Sequence, residues 1–388
     1  MERYPKRDDL RELSGYHSPQ VSVEVRLNTN ESPISPPREF VEAVASAVRD
    51  VQWNRYPDRT ATALREDIAA LHGVTADNVF VANGSNEVLQ SLLLAYSGAG
   101  RKVVTFEPTY QLHSHIARIA GATVVSGRRN PDFTLDAAEV ARVCKQHSPS
   151  VTFLCSPNNP TGLAESQESI RAAVDETPGI VLVDEAYAQF SPHTALGLVR
   201  EDARVAVSRT YSKTWSMAAA RLGYLIAPKW MVADLEVVAL PYRVDALKQA
   251  AGRAALRFVS HMEHAVRDVV AQRERLVAAM TKMPLTVWPS QANFILFRPN
   301  VPTVNPASAT SGSSNSGSST SGSSTSGLST SGGGAGRALW QALLDQSVLV
   351  RDCSSWDGLT DCLRVTVGTP AENDRFLAAL QTALLARD

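Results

Sequence analysis

Lys213 is surrounded, at fixed spacings in the sequence, by polar residues that could serve amine chemistry. Asn159, Asp184 and Tyr187 precede it, and Arg221 follows it by eight residues. A lysine amine can hold an aldehyde as a Schiff base and later move a proton, and a carboxylate can keep a pyridine nitrogen protonated. Hydroxyl and amide groups can donate to a phenolic oxygen, and an arginine can bind a phosphate. The set matches the chemical needs of pyridoxal phosphate, with Lys213 as the Schiff-base lysine.

The Asn-Gly-Ser-Asn loop at residues 83–86 could bind the phosphate of such a cofactor. It lies between an apolar strand pattern and a helical one. Free N–H groups and the positive end of the dipole make a helix N-terminus a binding site for anions. Thr210 or Ser212 could add a hydroxyl, and Arg221 could add a bidentate cation. Taken alone, such a loop is more often an ordinary turn from strand to helix.

The middle of the chain alternates between strand and helix patterns. Short apolar runs rich in β-formers occur at 79–82, 103–106, 123–125, 151–155, 180–183 and 205–207. Helical patterns such as 87–96 and 113–120 separate several of these runs. The alternation predicts an α/β fold with a mostly parallel sheet flanked by helices. Ligands bind beyond the carboxyl ends of strands in such sheets, and Asn159, Asp184 and residues 210–213 each follow a strand.

The pattern changes after Arg221. It is helical from about residue 228 to 283, and strands and helices alternate again beyond that point. We predict strands near 293–298, 348–351 and 363–367, and helices at 337–345 and 372–386. The chain is therefore expected to form a large cofactor-binding domain, residues 30–280, and a smaller α+β domain, residues 1–29 and 281–388.

Residues 307–336 break the pattern, because almost all of them are Ser, Gly, Thr or Ala. Such a segment lacks the apolar side chains that would offset its ordering entropy. We therefore predict a flexible, Ser/Gly-rich surface insertion within the smaller domain.

The composition argues against several classes of protein. A net charge of −1 provides no basic field for nucleic acid, and 44% hydrophobic residues are ordinary for a globular enzyme. The N-terminus is too charged for a signal peptide, and no apolar run approaches the roughly 18–20 residues of a membrane helix. The four cysteines form neither a C-x-x-C pair nor a metal-ligand spacing. We expect a cytoplasmic enzyme with reduced thiols, without a metal and without a nucleic-acid or membrane partner.

The chain resembles the fold-type-I aminotransferases that depend on pyridoxal phosphate, and among them the histidinol-phosphate aminotransferases. The resemblance covers nearly the whole chain except residues 307–336. It rests on an ordered set of motifs, RLNTNESP (26–33), RYPD (55–58), NGSNE (83–87), EPTY (107–110), SPNNPTG (156–162), DEAY (184–187), RTYSK (209–213), RLGY (221–224), RD (351–352) and LRVTVGT (363–369). It implies pyridoxal phosphate as the cofactor and a homodimer with shared active sites.

The resemblance also assigns roles around the cofactor. Asp184 would pair with the pyridinium nitrogen, Tyr187 and Asn159 would donate to the phenolic oxygen, and Tyr110 would stack on the ring. The asparagine is Asn159 and not its neighbour, because the family asparagine directly precedes the proline. The phosphate would be held by Gly84, Ser85, Asn86, Thr210, Ser212, Arg221 and, from the other subunit, Tyr56. Structural alternatives remain open, since the aspartate could be a helix cap and the tyrosines could be core or turn residues.

The substrate residues implied by the resemblance come from both ends of the chain. Arg364 would bind the substrate carboxylate with Arg351 as a second cation, and Tyr16 and Asn30 would close over the substrate. Arg351 could instead be a surface residue at a strand end, and the two N-terminal residues could serve domain packing. His113 is expected to lie on a helix face and not to act as a ligand.

The implied reaction exchanges an amino group between L-histidinol phosphate and 2-oxoglutarate in histidine biosynthesis. An aminotransferase for aromatic amino acids would share every cofactor residue, and a threonine-phosphate decarboxylase is similar in outline. A regulator that binds pyridoxal phosphate would need a fused DNA-binding module, whereas this chain starts almost directly with the enzyme-like segment. A purely structural protein would have no need of this polar set at strand ends.

Overall fold

The computed structural model describes residues 4–11, 13–15, 20–300 and 334–385. Their strands are, in chain order, β1 (Val25–Leu27), β2 (Val79–Ala82), β3 (Lys102–Glu107), β4 (Thr123–Arg128), β5 (Val151–Cys155), β6 (Ile180–Asp184), β7 (Val205–Thr210), β8 (Gly223–Ile226), β9 (Leu285–Val287), β10 (Phe294–Pro299), β11 (Val348–Asp352) and β12 (Leu363–Thr366). Their α-helices are α1 (Arg38–Arg49), α2 (Thr62–His72), α3 (Ser85–Tyr96), α4 (Leu112–Ile119), α5 (Ala137–His147), α6 (Gln167–Glu176), α7 (Lys229–Val238), α8 (Ala246–Ala255), α9 (Val259–Met280), α10 (Ala335–Asp345) and α11 (Pro370–Leu385).

The larger sheet has seven strands in the order β2-β8-β7-β6-β5-β3-β4. All neighbours run parallel except β8, which is antiparallel to β2 and to β7. The predicted mostly parallel sheet is therefore confirmed, and each of the six predicted strands lies within an observed one. The sequence analysis missed β8, whose four residues begin two positions after Arg221.

Both faces of the interior strands of the larger sheet are buried, as their apolar sequences predict. Alternate residues of one strand contribute to different cores, because successive side chains of a strand point to opposite faces. Leu182 packs with α3, α4 and α7 on one face, whereas Val181 and Val183 pack with α5 and α6 on the other. These two cores hold the sheet in place, and with it the carboxyl ends of the parallel strands, which lie along the same edge of the sheet.

The smaller sheet has five strands in the order β1-β11-β12-β10-β9. Strand β1 runs parallel to β11, so the N-terminal part of the chain joins the C-terminal part, and the other pairs are antiparallel. Apolar residues of α9, α10 and α11 form the core beside this sheet. Helix α9 lies within the range 30–280 predicted for the large domain, yet it packs on the smaller sheet. The domain boundaries stay a prediction.

Two sequence predictions concern the segment before α10. Residues 307–333 of the predicted insertion lie outside the described residues, and α10 begins at Ala335, inside the predicted range.

Within the described residues, no helix has the length and apolar character to cross a membrane, and the same residues hold no cluster of His, Cys, Asp and Glu that could bind a metal ion.

Candidate active site

A cavity of about 220 Å³ is lined by residues of both sheets and of the loops that follow them. The predicted site residues on its wall are Asn30, Ser85, Asn86, Tyr110, Asn159, Asp184, Tyr187, Thr210, Ser212, Lys213, Arg221, Arg351 and Arg364. They come from distant parts of the sequence and meet where the strands β5, β6 and β7 end. The convergence predicted from the strand-end rule is thus observed for Asn159, Asp184, Thr210, Ser212 and Lys213.

The amine of Lys213 lies in the cavity, three residues beyond the end of β7. Its Nζ donates a hydrogen bond to the carbonyl oxygen of Thr29 at 3.1 Å. Burial, together with the positive charges of Arg364 and Arg221, lowers the pKa of Lys213 to about 7, although the carboxylate of Glu31 acts in the opposite direction. The amine can therefore be neutral near neutral pH, which is the form that acts as a nucleophile or a base.

Asp184, the last residue of β6, is almost completely buried. Its Oδ1 accepts hydrogen bonds from the hydroxyl of Ser208 at 3.0 Å and from the backbone N–H of Ala186 at 3.2 Å. Its Oδ2 lies 3.0 Å from Nε2 of His113. These partners fix the carboxylate in one orientation on the cavity wall, as a group that must face one atom of a ligand requires.

His113 contributes to the site in a way that the sequence analysis missed. It is fully buried in α4, stacks on Phe153 with ring centroids 4.6 Å apart, and meets Tyr110 edge to face at 5.4 Å. The helical pattern placed His113 on a helix face, which is correct, but it gave no sign of the contact with Asp184. That contact joins residues 71 positions apart, so no local pattern could reveal it.

Tyr187 is held by Asn30, whose amide Nδ2 donates to the phenol oxygen at 2.9 Å. Asn30 has a left-handed backbone, φ 54°, and is fixed by Thr366, which accepts from its N–H at 2.9 Å and donates to its Oδ1 at 3.2 Å. Burial raises the pKa of Tyr187 well above its usual range. The phenol therefore stays protonated, and its own proton can be donated towards the cavity.

The two adjacent asparagines of the SPNNPTG motif have different surroundings. Asn158 is fully buried, and its amide donates to the carbonyl of Pro108 at 3.0 Å and to the hydroxyl of Thr161 at 2.9 Å. Asn159 lines the cavity, where its Oδ1 accepts a hydrogen bond from Arg364. Asn158 thus stabilises the loop itself, which supports the choice of Asn159 as the residue that meets a ligand.

The N-terminus of α3 forms the end of the cavity where an anion would bind. Within the described residues, no side chain caps this helix, and Ser85 and Asn86 of its first turn line the cavity. Arg221 donates to the hydroxyl of Ser212 at 3.1 Å and packs over Gly84, where a Cβ would come within 2.7 Å of the guanidinium. An arginine, a hydroxyl and helix N–H groups together provide strong anion donors.

Arg351 and Arg364 are directly opposite each other on the antiparallel strands β11 and β12. Both are buried, with 8% and 5% of their surface exposed, and both line the cavity. Opposite residues of such a pair have Cβ atoms about 4.5–5.5 Å apart, and like charges there repel. Arg364 donates to the carbonyl oxygen of Asn28 at 2.9 Å, which offsets only part of its charge. Two buried cations side by side favour binding of an anion.

These donors fit pyridoxal phosphate. The cavity offers an amine for the aldehyde, a buried carboxylate for the pyridine nitrogen, a phenol and an amide for the phenolic oxygen, and a helix N-terminus for the phosphate. These are the protein groups that the cofactor needs to react and to stay bound.

A sequence model described as "Aminotransferase class I and II" matches residues 22–380. The histidinol-phosphate aminotransferase of Thermobifida fusca is 42% identical, over 98% of this chain and 95% of that protein. The chain belongs to the histidinol-phosphate aminotransferase family of class I and II aminotransferases. Family membership makes it a transaminase that uses pyridoxal phosphate, as the sequence predicted.

Solved structures show that the aminotransferase has the fold-type-I architecture. The histidinol-phosphate aminotransferase of Sinorhizobium meliloti, in complex with pyridoxal-5'-phosphate, has a TM-score of 0.78 at 21% identity and covers 94% of this chain and 92% of that one. The L-threonine-O-3-phosphate decarboxylase of Porphyromonas gingivalis has a TM-score of 0.74 at 20% identity and covers 93% of this chain and 99% of that one. The fold is shared by a transaminase and a decarboxylase, so it does not select between them.

Two of the described site residues predicted for this aminotransferase are not on the cavity wall, and a third predicted residue lies outside the described part of the chain. Gly84 lies directly beneath Arg221, Tyr16 is outside the described residues, and Tyr56 is 81% exposed and stacks on Tyr242 with ring centroids 4.4 Å apart. Residues that line the cavity without having been predicted are Asn28, Thr29, Cys155 and Ala186. The first two stand beside Asn30 in the motif RLNTNESP, which was the available signal for them.

Proposed function

We propose that this aminotransferase exchanges an amino group between L-histidinol phosphate and 2-oxoglutarate, giving imidazole acetol phosphate and L-glutamate, in L-histidine biosynthesis. The observation that carries the proposal is the buried pair Arg351 and Arg364 on the cavity wall. Histidinol phosphate carries its phosphate on the carbon where an amino acid has its carboxylate, so one cationic site must accept both anions. Two adjacent guanidiniums suit a doubly charged phosphate and can also bind a carboxylate.

Lys213 is the group that we assign to proton transfer. Pyridoxal phosphate, when bound, supplies an electron sink that stabilises negative charge at the substrate carbon bearing the amine. The neutral Nζ of Lys213 takes the proton from that carbon and later delivers it, as a general base and then a general acid. A pKa near 7 suits both directions at neutral pH. Donor and acceptor use the same site in turn, so the kinetics should be ping-pong.

The remaining cavity residues are assigned by their position and chemistry. Asp184 holds the proton on the pyridine nitrogen, Tyr187 and Asn159 donate to the phenolic oxygen, and Tyr110 packs on the ring. The cofactor phosphate is assigned to Gly84, Ser85, Asn86, Thr210, Ser212 and Arg221. Asn30 and Tyr16 are assigned to the substrate side, and the position of Asn30 on the cavity wall supports its half of this assignment.

We further propose a cytoplasmic homodimer in which Tyr56 reaches the cofactor phosphate of the partner subunit. The 81% exposure of Tyr56 supports this arrangement, because it leaves the phenol available to a second chain. The division into a large domain, residues 30–280, and a smaller one, residues 1–29 and 281–388, belongs to the same proposal.

A half-reaction experiment tests the substrate. Purified holoenzyme is mixed in turn with histidinol phosphate, phenylalanine and glutamate, and conversion of the cofactor to its amine form is followed by absorbance. Histidinol phosphate and glutamate should react, with histidinol phosphate clearly faster than phenylalanine. A faster reaction with phenylalanine would favour the aromatic aminotransferase, and release of CO₂ from threonine phosphate would favour the decarboxylase.

A further inference from the structure

Two buried cysteines face each other beside the arginine pair. The register of β11 and β12 pairs Arg351 with Arg364 and Asp352 with Leu363, and the backbone N–H of Cys353 then donates to the carbonyl of Cys362 at 3.0 Å. Cys353 and Cys362 therefore continue the same ladder by one pair. Both are almost completely buried, at 0% and 1% exposure, and both belong to one apolar cluster with Trp356 and Leu359.

The spacing of such a pair suits a disulfide. Opposite residues of antiparallel strands have Cα atoms about 4.5–5.5 Å apart, and their side chains project from the same face. Disulfides span Cα separations of about 4.4–6.8 Å, most often about 5.5–6 Å. Bond formation would therefore require rotation of two side chains and little movement of the backbone. Both cysteines are free thiols in this structure.

The two cysteines flank the turn at residues 354–361. This turn contains a residue that packs against Arg351, one of the two arginines assigned to the substrate. Trp356 lies in this turn, with its ring centroid 5.8 Å from the guanidinium carbon of Arg351. Because alternate residues of a strand share a face, Cys353 projects on the same side as Arg351, and Cys362 on the same side as Arg364. Asp357 and Thr360 of the turn are exposed, so only this short segment separates the buried sulfurs from solvent, and a small oxidant would have to pass it to reach them.

We propose that Cys353 and Cys362 form a redox modification site, at which hydrogen peroxide converts the two thiols to a disulfide that closes the 354–361 turn. One thiolate attacks a peroxide oxygen, the O–O bond breaks, and a sulfenic acid and hydroxide result. The second thiol attacks that sulfur, the S–S bond forms, and water leaves. The two thiol protons end in two molecules of water, the peroxide is reduced, and the sulfurs are oxidised.

The environment of the pair sets the conditions for this reaction. Burial raises the pKa of Cys353 to about 11, although Arg364 and Arg351 lower it, and burial raises the pKa of Cys362 to about 12. The thiolate is the reactive form, so oxidation should be slow at pH 7 and should accelerate with rising pH.

Peroxide treatment of the full-length holoenzyme at pH 7 and pH 9, followed by peptide mapping without reduction, tests the proposal. We expect a peptide that links residues 353 and 362, formed faster at pH 9 and released by dithiothreitol. The oxidised protein should unfold at a temperature a few degrees higher, because a native disulfide restricts the unfolded chain. Cys353→Ser should abolish the link, whereas Cys144→Ser, a buried cysteine elsewhere in the fold, should retain it.

Four free thiols after treatment, or sulfinic acid at either residue without a link, would overturn the proposal. A lower unfolding temperature of the oxidised protein would overturn it as well, because it would mean that the native spacing does not suit the bond. The peptide map of the wild-type protein decides the matter even if Cys353→Ser does not fold.

Discussion

Burial and the charges of two arginines bring the pKa of Lys213 to about 7, and this value predicts how the rate of cofactor capture depends on pH. The rate at which the apoenzyme captures pyridoxal phosphate should rise about tenfold per pH unit below about pH 7 and then level off, since only the neutral amine reacts. Absorbance stopped-flow gives the rate, and borohydride reduction with peptide mapping should locate the cofactor on Lys213. Arg364→Gln should move the midpoint to higher pH, because a positive neighbour is lost. A midpoint near pH 10 would contradict the burial argument.

The arginine pair predicts unequal effects of two substitutions. Arg364→Ala should impair the glutamate and histidinol phosphate half-reactions alike, because Arg364 is the shared anchor. Arg351→Ala should impair histidinol phosphate more, because a second cation matters most for a doubly charged group. A charge-assisted hydrogen bond contributes roughly 1.5–3 kcal/mol, so kcat/KM should fall by about ten- to a hundred-fold or somewhat more.

Measurement of kcat/KM for both half-reactions in the two variants checks this prediction. Cofactor content is the control and should stay normal, since neither arginine is assigned to cofactor binding. Equal losses with both substrates in Arg351→Ala would show that Arg351 does not distinguish phosphate from carboxylate.

For single residues, the sequence allowed us to predict which side chains line the cavity, but not which other side chains they contact. Lys213 and Asp184 could be predicted, because a strand end and a motif mark them. The contacts of Asp184 with His113 and of Tyr187 with Asn30 join residues 71 and 157 positions apart. Such contacts depend on how helices and loops pack, which no local pattern encodes.

At the scale of elements, Gly223 links strand β8 to the phosphate-binding end of the site. A Cβ on Gly223 would overlap the backbone of Gly84 and Ser85. Gly223→Ala should therefore lower the free energy of unfolding by about 1–3 kcal/mol and weaken cofactor binding, because the loop must move. Urea unfolding and a cofactor titration measure the two effects.

Gly197→Ala is the matched control, because a Cβ at Gly197 meets no atom within 4 Å. It should change neither stability nor cofactor affinity appreciably. Similar losses in both variants would mean that the contact with the loop is not the cause.

The elements that were predicted differ physically from those that were missed. Strands β3, β5, β6 and β7 lie in the interior of the larger sheet, and their continuous apolar runs report burial on both faces. Strand β8 has four residues and runs against its neighbours, and β1 and β9 have three residues each. The two three-residue strands exist because a partner strand pairs with them, so their own sequence carries little signal.

At the scale of the whole molecule, the proposed dimer predicts that two defective chains can repair each other. Lys213→Ala removes the amine of its own site, whereas Tyr56→Ala would damage the site of its partner. A mixed dimer would then contain one intact site. Random assembly of equal amounts should restore about a quarter of the wild-type activity, because half of the dimers are mixed and each has one working site of two.

Co-refolding of the two variants, with activity measured against each alone, checks this expectation. A mixture of Lys213→Ala with Arg221→Ala is the matched control and should stay inactive, because both residues line the cavity of one chain. Activity of the first mixture no higher than that of Tyr56→Ala alone would mean that Tyr56 does not act across subunits.

The position of β8 also determines when the site can form as the chain folds. Strand β8 lies between β2 and β7, and it pairs Val79 with Ile226 and Ala82 with Gly223. Pairings between segments so far apart form slowly, because a long loop must close before the contacts stabilise it. During synthesis, the loop that precedes α3 in the sequence therefore cannot reach its final position until the chain has been made as far as residue 226. During refolding, the protein should therefore begin to bind the cofactor only when β8 has paired with β2, so the time course of cofactor binding reports this late step.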